Sequence, residues 1–147
     1  MARGIMRCAA VASALGVLVA ATSASAEMRI QRDFGGQIGS YLYRFEAARD
    51  AGSRVVIDGP CLSACTLALG VIPRERICMT ANAVLGFHAA WMPGADGQPV
   101  KSAEGTSLLW AIYPPKVRNW IKRRGGLSSK TILLRGRELT ALYPACS

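Results

Sequence analysis

The chain has 147 residues, 51% of them hydrophobic, and 18 Lys and Arg against 9 Asp and Glu give a formal net charge of +9. Such a length suits one small domain with one core, and no linker or internal repeat is visible. The basic balance favours encounter with acidic surfaces such as anionic lipid, a weak membrane-surface contact at most, and points to no specific nucleic acid.

The N-terminus carries Arg3 and Arg7, an uncharged apolar run from Ala9 to Ala21, and then Ala24-Ser25-Ala26. Basic, apolar and small-residue segments in that order predict a cleaved signal peptide over residues 1–26 and a periplasmic or secreted mature domain over 27–147. The run is shorter than the roughly 20 residues that span a bilayer, and no later segment reaches that length without a charge or proline. Cys8 precedes the apolar run, which argues against a lipoprotein anchor. Loss of the two leader arginines lowers the net charge to +7.

Along the mature chain, residues 28–32 read as a strand that runs into a turn at Asp33-Phe34-Gly35-Gly36. Ile38, Tyr41, Leu42, Phe45 and Ala48 recur at helical spacing up to a stop at Gly52. The β-branched run Val55-Val56-Ile57 reads as a buried strand broken by Gly59-Pro60. Strand, helix, strand predicts a parallel pair with a crossover helix. Residues 62–69 suit a small buried helix with Ser63 in its first turn, ended by Gly70 and Pro73. Residues 76–80 and 84–88 read as two short strands or one bent one, and Met92 to Val100 as a flexible loop. Helices follow over 103–113 and 114–124, with Pro114-Pro115 tolerated at the start of the second. There, Val117, Trp120 and Ile121 share one face and basic residues cover the rest, as in a core-facing helix with a solvated basic side or a membrane-surface helix. A strand from Thr131 and a short helix near 137–142 complete the chain.

Four cysteines lie in the mature domain: Cys61, Cys65, Cys78 and Cys146. An even count in a small exported domain predicts two disulfides, with three connectivities open. A metal site is not expected, since His88 is the only histidine and the Cys61/Cys65 spacing has no matching second pair. No cofactor motif is present.

Three features stand in a fixed order: Gly35-Gly36, Ser63 within Cys61-Leu62-Ser63-Ala64-Cys65-Thr66, and His88 within Gly86-Phe87-His88-Ala89-Ala90. Singly, each has an ordinary structural explanation as a turn, a helix cap and a core histidine. Jointly they supply a nucleophile, a base, and backbone donors for an oxyanion. The order and spacing resemble the Clp protease proteolytic subunit and the wider Clp/crotonase fold, in particular small periplasmic Clp-protease-like proteins. Gly36 precedes Ser63 by 27 residues and His88 follows it by 25, which is similar to that family's spacing from about residue 28 to 124.

The resemblance implies a small, truncated, disulfide-stapled α/β domain of ββα units. It implies Ser63 as nucleophile, His88 as general base, and the amides of Gly36 and Ala64 as oxyanion donors, acting on a peptide or acyl substrate. From the family's fold it also implies a Cys65–Cys78 and Cys61–Cys146 pairing. The family's third member, an acid about 50 residues beyond the histidine, is missing: residues 105–137 contain no Asp or Glu, and Glu138 falls later. A Ser63/Lys130 pair, by analogy with signal peptide peptidases of the same fold, is a second arrangement. The alternative to a serine hydrolase is a catalytically inactive binding or scaffold module in the cell envelope. The family's earlier strand-helix units have no room here, so the sheet should be small, with an exposed edge open to homo-oligomer formation.

Overall fold

The computed structural model describes residues 26–147. Apart from Ala26, the predicted leader lies outside the described residues.

The fold is mixed α/β. Strand β1 (Glu27–Ile30), helix α1 (Ile38–Asp50) and strand β2 (Arg54–Ile57) form the expected crossover unit. The two strands are parallel, in register from Glu27↔Arg54 to Ile30↔Ile57. Helix α1 buries Phe45 and Ala48 and gives way to Gly52, whose φ of +71° lets the chain turn back. Val55, Val56 and Ile57 are all buried because β2 is the central strand, covered on both faces. Its other neighbour, also parallel, is β4 (Ile77–Met79).

A second sheet continues these same lines of chain. Strand β3 (Pro60–Leu62) runs parallel to β5 (Val84–Phe87), and β8 (Ile132–Arg135) lies antiparallel to β5. The Gly59-Pro60 break thus kinks the chain between two strands rather than ending strand structure. A Cβ on Gly59 would fall 1.9 Å from the Gln31 carbonyl oxygen, so only glycine permits this crossing. The β1 line likewise continues to Asp33, which forms a parallel bridge to Cys61. The 76–88 segment divides between the two sheets at a turn over residues 80–83.

The helix expected over 62–69 is a 3₁₀ turn at Ser63–Leu67 followed by the single-turn α2 (Ala68–Val71). Ser63 is left-handed and a disulfide crosses the turn, so the helix begins overwound. The expected loop over 92–100 is instead a hairpin of β6 (Trp91–Pro93) and β7 (Pro99–Lys101). Its turn is closed by Gly94 N–H donating to the Gln98 carbonyl at 2.8 Å, with Gly97 left-handed. Helices α3 (Ala103–Ile112) and α4 (Pro115–Arg123) follow. Ser102 caps α3 by accepting from the Gly105 amide at 3.0 Å. Val117, Trp120 and Ile121 of α4 lie in the core beside Phe87 and Tyr113, leaving the basic side outward. Short helix α5 (Gly136–Thr140) leads to the C-terminal segment.

The two disulfides join Cys61 to Cys65 and Cys78 to Cys146. This overturns the pairing of Cys65 with Cys78 and Cys61 with Cys146. The C-terminal segment docks along β4, with Cys146 N–H donating to the Met79 carbonyl and Met79 N–H to that of Pro144, both at 3.0 Å. That docking brings Cys146 to Cys78, Cα to Cα 4.9 Å, in the first sheet. Cys61 belongs to the second sheet and meets Cys65 one turn further along its own chain.

Among the described residues no helix is long and apolar enough to cross a membrane. No group of three or more His, Cys, Asp or Glu among them is arranged to hold a metal ion.

Candidate active site

Strands β3 and β5 are parallel neighbours with Leu62 opposite Gly86. Ser63 and His88 therefore emerge within one residue of the same level, at the C-terminal ends of strands spaced about 4.8 Å apart. Both are partly buried. Such a strand-end edge, where chains turn into loops and helices, is where open parallel sheets collect ligands.

Ser63 has φ of +55° and is the one left-handed residue other than glycine among the described residues. This conformation costs about 1–3 kcal/mol and persists only where the surroundings impose it. Several groups impose it here. The Cys61–Cys65 bond spans the turn, with both cysteines fully buried. Thr66 Oγ1 donates to the Ser63 carbonyl at 2.6 Å. Having one proton, that hydroxyl can only accept from Tyr113, whose oxygen lies 2.7 Å away. Burial of Tyr113 pushes its hydroxyl up to about 12, so it stays a donor.

The glycine turn packs directly on Ser63. A Cβ on Gly35 would lie 2.6 Å from Ser63 Cβ and 2.9 Å from the Ala64 nitrogen, and Gly35 is left-handed at φ +85°. Position 35 therefore has to be glycine if the space before the Ala64 amide is to stay open. Ala64 lies in the first turn of the 3₁₀ helix, where amides have no intrahelical partner.

Asp33 shapes the turn: its Oδ1 accepts from the Gly35 amide at 3.0 Å, as in an Asx turn. The same carboxylate is held from α1 by the Tyr41 hydroxyl and by Arg44, the latter at 3.0 Å. Burial, and then the bond to Asp33, pushes the Tyr41 hydroxyl up to about 12. With the Gly35 amide engaged, the exposed Gly36 amide makes no hydrogen bond among the described residues. The Gly36 and Ala64 amides thus make no hydrogen bond among the described residues, and Gly35, next to Gly36, packs against Ser63 and the Ala64 nitrogen.

His88 Nδ1 lies 2.7 Å from the Ala89 carbonyl oxygen. A carbonyl only accepts, so in this contact Nδ1 is the donor and Nε2 is the ring nitrogen left for another partner. Glu138 is elsewhere, paired with Arg124 on the surface. Ser63 Oγ makes no hydrogen bond to His88 among the described residues.

Lys130 lies in the loop that follows α4. The loop is held to the His88 region by Ala89 N–H donating to the Ser128 carbonyl at 2.7 Å. Its neighbours Ser129 and Thr131 line a cavity beside His88, whereas Lys130 does not. The cavity measures about 530 Å³, and its opposite wall is the β6–β7 hairpin, with Trp91, Pro99 and Lys101. Sequence reasoning missed Asp33, Thr66 and the hairpin residues. An aspartate two residues before a glycine and a threonine three after a serine are recognisable local signatures. No local signal marks the hairpin wall.

No family model and no curated protein sequence matches the chain. Among solved structures, the chain is similar to a ClpP1 mutant from Listeria monocytogenes. The TM-score is 0.46 and the identity 12%, over 80% of this chain and 70% of that one.

Proposed function

We propose that this is an exported Clp-protease-like serine hydrolase or peptidase in which Ser63 and His88 carry out acyl transfer on a peptide or acyl substrate. The observation that carries this reading is the imposed left-handed backbone of Ser63, with the Gly35 turn packed against it and His88 at the end of the neighbouring strand. A strained serine at a strand-to-helix turn presents its Oγ outward, and strain of this kind clusters at reactive sites. The two disulfides support export to an oxidising compartment.

In this reading Ser63 Oγ bonds to the substrate carbonyl carbon while its proton passes to His88 Nε2. The carbonyl electron pair becomes an oxyanion facing the Gly36 and Ala64 amides. Collapse expels the leaving group, which takes the proton from His88. Water repeats the sequence, releases the acid and restores Ser63. The Ala89 carbonyl keeps the reactive tautomer but contributes no full negative charge opposite the imidazolium. The acid of a serine triad also stabilises the imidazolium, and without that charge a slow enzyme is expected.

A fluorophosphonate probe tests the reading. It should label the oxidised wild type at Ser63, Ser63→Ala should abolish labelling, and His88→Ala should slow it at least a hundredfold. The inactive binding module is the second reading, favoured by the missing Ser63–His88 hydrogen bond. An unlabelled wild type, together with a lowered melting temperature in His88→Ala, would establish that alternative.

A further inference from the structure

Residues directly opposite one another in an antiparallel hairpin point to the same face. Trp91 pairs with Lys101 and Pro93 with Pro99, whereas Met92 pairs with Val100 on the reverse face. Trp91, Pro99 and Lys101 accordingly share the face that walls the 530 Å³ cavity, with His88, Ala89 and Ala90 as its continuation. A cavity of that size fits within the range of sites for small ligands or short peptide segments. The lining is apolar apart from small hydroxyls, His88 and one fixed charge, Lys101. Lys101 takes part in none of the ion pairs among the described residues. A lysine without a carboxylate partner, opposite Trp91 in the hairpin register and lining the same cavity as Pro99, suits an anion attached to an apolar group.

We infer that this cavity binds the free C-terminal carboxylate of a peptide ending in an apolar residue, with Lys101 facing the carboxylate and Trp91 packing on the side chain. As a substrate site the inference rests on the Ser63–His88 reading; as a binding site it is tested without it. Trp91 is 58% exposed, so the pocket is half open to water and its ion pair is of the modest surface kind.

The probe is N-acetylphenylalanine, titrated against the oxidised protein while tryptophan fluorescence is followed. N-acetylphenylalaninamide serves as the neutral comparison and N-acetylglutamyl amide as the side-chain carboxylate. N-acetylphenylalanine should bind about fivefold more tightly than its amide at 50 mM salt, the gain expected of one exposed charge pair. The ratio should shrink at 0.5 M salt, where screening shortens to a few ångströms. Lys101→Gln should bring the ratio to one, and Trp91→Phe should remove most of the fluorescence response. Ser63→Ala should leave the ratio intact, so a protein that never reacts with fluorophosphonate still reports on the cavity. Equal affinity for acid and amide, or a ratio that survives in Lys101→Gln, would overturn the inference. Tighter binding of N-acetylglutamyl amide would overturn its assignment to a chain end.

Discussion

The two disulfides differ in what they close. Cys78–Cys146 joins residues 68 apart in sequence and ties the C-terminal segment to β4 in the first sheet. Cys61–Cys65 joins residues four apart and encloses Ser63. In the chain-entropy model the first removes far more freedom from the unfolded chain, about 4 kcal/mol against about 2 kcal/mol. A short loop is a weak device for stabilising a fold, but it restricts the backbone of the residues inside it. The long bond therefore holds the domain together, and the short one holds a left-handed serine.

The largest effect should follow from replacing Cys78 and Cys146 together with alanine. Urea denaturation should show a loss of about 4 kcal/mol, while the folded fraction keeps its fluorophosphonate labelling rate. The Cys61→Ala/Cys65→Ala double variant should lose only about 2 kcal/mol but label at least tenfold more slowly, because Ser63 is free to relax. If both pairs lower stability alike and neither changes labelling, the division of labour is wrong.

Thr66→Val probes the same turn without touching sulfur. It removes the donor to the Ser63 carbonyl and leaves the hydroxyl of the buried Tyr113 without its partner. A buried polar group so orphaned costs about 1–3 kcal/mol. Labelling should slow more in this variant than in the long-bond variant of larger instability.

The smallest effect lies beside the long bond. Asp58, at the end of β2, accepts hydrogen bonds from Thr80 and Asn82 in the turn after β4 and pairs with Arg29. The Thr80 bond first, then that of Asn82, holds its carboxyl below the ordinary 3.8. The ionised form is the one bound in the folded state, so its contribution is present above pH 3.8 and fades as pH falls below it. Asp58→Asn should flatten the acid limb of the melting-temperature profile slightly and leave labelling at neutral pH unchanged.

The elements written locally are legible in the sequence. The β-branched run at 55–57, the helical recurrence from Ile38 to Ala48 and the prolines opening α4 each act through neighbours within a few residues, so periodicity and breaker residues expose them. Ser63 and His88 stand out because their strands are neighbours in one sheet, so that order and spacing stand in for proximity. The start at Ser63 reads as ordinary helix in the sequence because its left-handed backbone is imposed by Gly35, Thr66 and Cys65, not by serine itself.

What the sequence determined by itself was therefore an α/β domain, four cysteines in two bonds over residues 27–147, and a serine and a histidine set in a fixed order and spacing. Tertiary structure alone decided which cysteines meet, since that depends on the C-terminal segment docking at Met79 and on Gly59 carrying the chain into a second sheet. It also decided the walls of the cavity. Trp91 and Lys101 reach one face only through hairpin register, and the 128–131 loop reaches the His88 region through the bond between Ala89 and Ser128, far apart in the chain. Contacts of that separation have no local propensity to announce them; closure entropy and packing of the whole domain select them.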